Sequence, residues 1–177
     1  KISLDDQVTA SAHAASMGGS DIWLKEGETM SVNDLIKATV IMSANDAAVV
    51  LAEHVYGTED EFVKQMNIRA KQLGMNDTTF KNCNGLDEDG HLTTAHDVAL
   101  MSAELIKHEK IFDYTLTWMD YVRDGETQLV NTNKLIRSYK GITGLKTGTT
   151  SQAGSCISAT AKRDNLSLVA VVLGCST

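Results

Sequence analysis

The sequence predicts an α+β domain in which a helical lobe, about residues 31–121, packs on an antiparallel sheet, about residues 142–173. Apolar residues recur at helical intervals through the first two thirds, and serine or threonine with an acid three positions on marks three helix starts. After Gly141 the period changes, and short runs rich in β-branched residues alternate with turn signals.

Ser31 and Asp34 open the first marked helix, with Leu35, Ala38 and Met42 following on one side and a stop expected near Ser43. Asn45 to Tyr56 reads as the next helix, with Ala48, Leu51, Ala52 and Val55 as its stripe and Gly57 placed to end it. Thr58 and Glu61 repeat the capping spacing ahead of Phe62, Met66, Ile68 and Leu73, and Gly74 supplies the stop. Residues 74–93 are loop-rich. Thr94 and Asp97 open a fourth helix carrying Val98, Met101 and Leu105, and an aromatic-bearing stretch from Ile111 to Tyr121 reads as a shorter one. Ile142–Lys146, Ser155–Ala161 and Leu166–Leu173 read as strands, the last two joined at Arg163-Asp164-Asn165. Because Leu168–Leu173 is apolar on both faces, it is expected to be central or covered on both sides.

At 177 residues, 42% hydrophobic and 22% charged, the chain can build one domain with a core. A formal charge of −7 argues against nucleic acid or an anionic membrane surface as partner, since both reward clustered lysine and arginine. No apolar run reaches spanning length, and the first residues are not a secretion leader, so neither is expected within residues 1–177. Cys83, Cys156 and Cys175 lack metal-ligand spacing and are expected as buried small hydrophobes, Cys156 opposite Leu173 rather than paired with Cys175.

Two short motifs carry chemistry. Ser43-Ala44-Asn45 falls between two helical patterns, where a hydroxyl can face a cleft and an amide two positions on can both donate and accept. The same serine also fits a helix cap. Lys146-Thr147-Gly148 lies in a strand, where an ammonium beside a glycine lets another backbone approach and Lys146, Thr147 and Thr149 can collect a carboxylate. A solvated strand lysine before a turn is the plain alternative.

These triplets match two of the three motifs of the penicillin-recognising serine enzymes. The chain resembles, almost end to end, the low-molecular-mass D-alanyl-D-alanine carboxypeptidases. The resemblance runs through Lys1-Ile2-Ser3-Leu4-Asp5-Asp6, Asn84-Gly85-Leu86, Gly90-His91-Leu92-Thr93-Thr94, Asn131-Thr132-Asn133-Lys134-Leu135 and Gly144-Leu145-Lys146-Thr147-Gly148-Thr149-Thr150, with Ala153-Gly154 after it. It implies a β-lactamase-like transpeptidase fold, here incomplete at both ends: residues 1–177 are expected to be an internal fragment forming one partial domain. The third motif, Ser-x-x-Lys, is absent, since no serine is followed three positions later by lysine.

By that resemblance Ser43 relays a proton to the leaving D-Ala nitrogen, Asn45 holds the substrate amide, and Lys146, Thr147, Gly148 and Thr149 bind the terminal carboxylate. The implied ligands are peptidoglycan stem peptides and β-lactam antibiotics, with no cofactor. The implied location of the full-length protein is extracytoplasmic, with membrane association open. Acyl transfer needs the nucleophile, so the chain alone is expected to be inactive and to form no stable penicilloyl adduct. It is also expected to expose apolar surface. A class A-like β-lactamase fragment and a non-catalytic binder of D-Ala-D-Ala termini are the alternatives.

Other clusters have simpler readings. His91 and His96 with Asp97 lack a third ligand, and Asp97 is explained as a helix-start acid. Asp87-Glu88-Asp89-Gly90 lacks the distal glutamate of a calcium loop, and Met17-Gly18-Gly19-Ser20 lacks the strand and helix of a nucleotide loop. No metal site is expected.

Overall fold

The computed structural model describes residues 2–176, which divide into two compact units. The first comprises Lys1–Phe62 and Thr117–Asn131, the second Val63–Leu116 and Thr132–Thr177.

In the first unit, β1 (Gln7–Thr9) pairs antiparallel with β2 (Thr29–Ser31), and the short helix α1 (Ala12–Ala15) lies between them in sequence. Helix α2 (Val32–Lys37) starts as the sequence indicates: the Ser31 hydroxyl accepts from the Asp34 N–H at 3.1 Å. It runs on as a turn of π-helix over Ala38–Met42 and stops at Ser43. Helix α3 (Asn45–Tyr56) follows, ending at Gly57. Its buried face is Ala47, Val49, Val50 and Ala52, broader than and rotated from the expected stripe, with Val55 exposed. The reason is that α3 packs on α1 and α2 together, so more than one stripe must be apolar.

Helix α4 (Glu59–Gln72) is capped by the Thr58 hydroxyl, which accepts from the Glu61 N–H at 3.2 Å. The unit boundary falls inside it. Its buried positions are Val63 and Ala70, one heptad apart, whereas Ile68 is 47% exposed. The expected stripe is displaced because Asn67 is tied into the fold: its side chain donates to the Phe80 carbonyl at 2.8 Å and accepts from the Phe80 N–H at 2.9 Å.

In the second unit, α5 (Ala95–Leu105) is capped by Thr94, which accepts from the Asp97 N–H at 3.1 Å. Asp97 is buried, and its carboxylate accepts from the Asp77 N–H and the Thr78 hydroxyl at 2.9 and 2.7 Å, which closes the loop after α4. The hydrogen bond from Thr78 is the main cause that holds the Asp97 carboxyl below its ordinary pKa. The expected helix over 111–121 is only α6 (Phe112–Thr115), preceded by one 3-10 turn. From Met119 the chain is extended: β3 (Met119–Val122) pairs with β4 (Thr127–Val130) in the first unit. Helix α7 (Leu135–Ser138) leads into the sheet.

That sheet is antiparallel, in the order β5 (Ile142–Thr150), β6 (Gly154–Arg163), β7 (Leu166–Cys175). The strands sit where the sequence puts them, longer at the ends. Four short strands, β1 to β4, have no counterpart in the sequence reading. Strand β7 is not doubly covered. Val169, Val171 and Leu173 are half-buried, with α5 packed against the strand, while Leu166 and Leu168 are 60% and 57% exposed and Val172 is exposed. Among the described residues β7 is an edge strand, so an apolar run on both faces did not here mean two covered faces. The cysteines are free thiols, Cys83 and Cys156 half-buried and Cys175 exposed, so burial is not their role. Cys156 is not opposite Cys175, which pairs with Ser155; it falls at a register shift between that pair and Ile157–Val172, facing Leu173 and Gly174, and the Gly174 N–H donates to its sulfur at 3.5 Å. Among the described residues no helix is long and apolar enough to cross a membrane.

Two glycines of β5 separate packing from conformation. At Gly144, φ is +141°, and a Cβ would lie 2.7 Å from the Thr115 Cβ; at Gly148 a Cβ would meet nothing within 4 Å. Gly144→Ala is expected to cost roughly 2–4 kcal/mol, from overpacking and from a backbone that L side chains avoid. Gly148→Ala is expected to stay within about 1 kcal/mol of the parent. Urea unfolding of both variants checks this; equal losses would contradict it.

Candidate active site

The motif residues fall in different units: Ser43 and Asn45 in the first, Lys146 to Thr149 in the second. In the first unit, Ser43 is the hinge between the π-helical turn and α3. It adopts φ 65°, ψ 35°, a left-handed conformation that is uncommon for a residue with a Cβ and concentrates at functional sites. The cap reading of Ser43 does not hold, because the N-cap of α3 is Ala44, with no side-chain capping bond. A left-handed serine followed by extended Ala44 turns the chain sharply enough to start a new helix one residue later.

Asn45 is buried, its N–H donating to the Ser20 carbonyl at 2.7 Å and its side-chain amide to the Gly18 carbonyl at 2.7 Å. One amide proton is thus committed to the fold, while an asparagine side chain has a second donor and a carbonyl acceptor for other use. Beside it, the buried Asp46 carboxylate accepts from the Ile22, Leu24 and Ala47 N–H groups at 3.3, 2.9 and 2.8 Å. Burial, aided by the charge of Asp46, raises the pKa of Asp21, one of whose carboxyl oxygens is buried without a partner among the described residues. The loop of residues 17–28 is held a third time by Arg123, which donates to the Ile22 carbonyl at 2.8 Å and to Glu28 at 2.6 Å.

In the second unit, Lys146 pairs with Ser158 across β5 and β6, and Ser158 bonds the Ser102 hydroxyl of α5 at 2.7 Å. Cross-strand partners share a face, so Lys146 lies on the α5 side of the sheet. Its ammonium donates to the Thr147 carbonyl at 2.7 Å, and burial lowers its pKa to about 8. It is therefore not a solvated strand lysine. A cavity of about 270 Å³, lined by Val98, Met101, Leu105 and Leu173 with Lys146 and Gly148, lies between α5 and the sheet. The expected stripe residues Met101 and Leu105 face this space and are partly exposed.

Around the motif, Thr147 and Thr132 share a 2.6 Å hydroxyl hydrogen bond. Asp87 accepts from the Thr150 hydroxyl, from the Ser151 hydroxyl at 3.0 Å and from the Gln152 N–H at 3.1 Å. The Thr150 bond is the first cause of the lowered pKa of Asp87. These bonds tie the loop carrying Asp87 to the β5–β6 turn beside a second cavity, about 470 Å³, lined by Leu86, Asp87, His91, Leu92, Gly148 and Thr149. Sequence reasoning passed over Asp46 and treated Asp87 as a solvated turn residue. The one signal for Asp46 was an acid directly after Ser-x-Asn; for Asp87 no local signal exists, since its partners lie more than sixty residues away.

Two threonines do have a lysine three positions on, Thr78 with Lys81 and Thr143 with Lys146. Both hydroxyls donate elsewhere, Thr78 to Asp97 at 2.7 Å and Thr143 to Thr160 at 2.8 Å, so neither is poised toward its lysine. Among the described residues no group of three or more histidine, cysteine or carboxylate side chains could hold a metal ion.

The family profile described as D-alanyl-D-alanine carboxypeptidase matches residues 1–177. The chain is 49% identical over 180 residues to D-alanyl-D-alanine carboxypeptidase DacF of Bacillus subtilis, covering 100% of this chain and 46% of that protein. It is 38% identical over 184 residues to DacC of Escherichia coli, again covering 100% of this chain and 46% of that protein. Among solved structures, penicillin-binding protein 5 from Haemophilus influenzae superposes with a TM-score of 0.92 at 31% identity, over 99% of this chain and 52% of that one. Penicillin-binding protein D2 from Listeria monocytogenes, in its ampicillin-bound form, gives 0.88 at 35% identity, over 99% and 72%. The chain spans about half the length of the curated relatives it matches. The fold is α+β, helices with antiparallel sheets, of the β-lactamase-like kind found in low-molecular-mass penicillin-binding proteins.

The titration of Lys146 has a sign that can be tested. Burial disfavours the ammonium, so the folded chain binds this proton less tightly than the unfolded chain, whose lysine titrates near 10.5. Between about pH 8 and 10.5 the unfolded state carries more protons, and stability rises with pH by at most about 1.4 kcal/mol per pH unit; below about 8 the slope vanishes. Urea unfolding of parent and Lys146→Met at pH 7.5, 9 and 10 is expected to show this rise in the parent only. An identical pH profile for both would contradict a buried ammonium.

Proposed function

Because the chain belongs to the D-alanyl-D-alanine carboxypeptidase family, we propose that it serves a serine-type carboxypeptidase that removes the terminal D-Ala from peptidoglycan stem peptides. The observation that carries this reading is Lys146: a half-buried ammonium on β5, followed by a threonine and a glycine that presents open space. Among the described residues β5 has a strand neighbour on one side only. An extended peptide can add to such an edge by main-chain hydrogen bonds, while Lys146, Thr147 and Thr149 take its terminal carboxylate. Gly148 keeps the approach open, and the Thr132 hydroxyl fixes that of Thr147.

Ser43 relays a proton to the departing D-Ala nitrogen, and Asn45 holds the substrate amide with the part of its side chain not bonded to Gly18. β-lactams are ligands of the same groups, being acyl donors that also carry a carboxylate. The full-length protein acts outside the cytoplasm, where its substrate is. Acylation needs an activated hydroxyl, which Ser-x-x-Lys supplies, and no serine of residues 1–177 has that arrangement. The chain alone therefore binds and orients without turning over.

The test is the intact mass of the chain after incubation with excess penicillin, with D-Ala release from diacetyl-L-Lys-D-Ala-D-Ala measured in parallel. No added mass and no D-Ala above a protein-free blank are expected. A single penicilloyl group mapped to a serine, or steady D-Ala release, would show that a hydroxyl within residues 1–177 is competent and overturn the division of roles.

A further inference from the structure

The cavity of about 470 Å³ lies wholly within the second unit, and Gly148 and Thr149 of β5 are part of its lining. Its other walls come from the loop before α5, the β5–β6 turn and Leu173 of β7. Two leucines of that loop line the space without being covered: Leu92 is 66% exposed and Leu86 36%. Their backbone is nevertheless fixed. Leu92 exchanges two main-chain bonds with Thr79, at 3.1 and 2.8 Å, and the Gly85 N–H donates to the Asn82 side chain at 2.8 Å. Asp87, between them, accepts from Thr150, Ser151 and Gln152. An apolar wall held open before anything binds spares a ligand the entropy of ordering it.

The charge on this lining has one sign. Glu88 and Asp89 belong to it, whereas no lysine or arginine does. Asp87 is occupied by its three donors, and burial lowers the pKa of His91, so at pH 7.5 the ring brings no positive charge to offset the two free carboxylates.

The sheet is antiparallel throughout, and a peptide that adds to β5 in the same sense points its C-terminus toward the start of the strand. With its carboxylate at Lys146, the residue two positions upstream stands opposite Gly148, and partners across an antiparallel pair share a face. On that face Gly148 has no Cβ, and one built there would meet nothing within 4 Å.

We propose that this cavity is the subsite for the side chain of the residue preceding D-Ala-D-Ala, that it takes an aliphatic chain ending in an amine, and that Leu92 is its specificity-determining residue. The inference rests on the function proposed above. The methylenes lie on Leu92 and Leu86 while the ammonium reaches Glu88 and Asp89, so the chain is desolvated and its charged end is not.

Calorimetry on this chain at pH 7.5 tests it with three peptides: acetyl-Gly-D-Ala-D-Ala, diacetyl-L-Lys-D-Ala-D-Ala and Nα-acetyl-L-Lys-D-Ala-D-Ala. The parent is expected to bind the diacetyl peptide about tenfold more tightly than the glycine peptide. The free amine is expected to add about threefold, a margin that high salt removes. Leu92→Ala is expected to weaken both lysine peptides about fivefold and to leave the glycine peptide and the melting temperature unchanged, since the side chain is mostly exposed. Leu86→Ala, on the same wall, is expected to act in the same direction. Glu88→Gln with Asp89→Asn is expected to remove the amine margin alone. Equal affinity of the parent for the three peptides would overturn the proposal and leave the function standing. So would a lysine preference that survives both leucine variants, an equal loss for all three peptides, or an amine margin that survives the loss of both carboxylates. Failure of the parent to bind any of the three would overturn both readings.

Discussion

The carboxylate of Asp46 is the constraint on which the first unit depends. It sits in the first turn of α3, where an anion is favoured, yet two of its three bonds go to a loop some twenty residues earlier. Together with the Asn45 bonds to Gly18 and Ser20, it fixes the entry to α3 against that loop. The left-handed Ser43 is held between this anchored helix start and the π-helical turn before it. Removing the carboxylate would leave buried N–H groups unmatched, which costs more than the hydrogen bonds contribute. Left-handed backbone at Ser43 and Trp23 is thus held in place by buried polar bonds around it.

The second unit solves a different problem. Under the proposed function, a strand that receives a peptide must keep an unpaired edge and still stay in register. Strand β5 is paired along its length with β6, and the Thr115 hydroxyl donates to the Thr143 carbonyl at 2.7 Å near its start. Asp87 ties down the turn at its far end. Between these two fixed points lie Lys146 to Thr149. The price of placing an ammonium there is desolvation, visible as the lowered pKa of Lys146, and a carboxylate ligand would offset it.

Much of this was legible in the residue order. The capping pairs at Ser31, Thr58 and Thr94 fixed three helix starts because a cap is a local bond between neighbours. The change of period after Gly141 located β5 to β7, and the two triplets with the surrounding resemblance identified the family. What failed was whatever depends on distant partners. The faces of α3 and α4 were misjudged because α1, α2 and Phe80 decide them. The apolar β7 run did not reveal that the strand is an edge. The short pairs β1–β2 and β3–β4 were missed because strands of three or four residues carry almost no periodicity. Asp87 and Asp46 take partners that no local pattern encodes.

Under the proposed function, β5 reads a D-Ala-terminated carboxylate. That reading is tested most directly by mapping backbone amide shifts of the chain on titration with diacetyl-L-Lys-D-Ala-D-Ala, against the same peptide ending in L-Ala-L-Ala. Saturable shifts at Thr147, Gly148 and Thr149 are expected with the D,D-peptide and far weaker ones with the L,L-peptide. Equal responses to both peptides, or shifts that avoid β5, would contradict it.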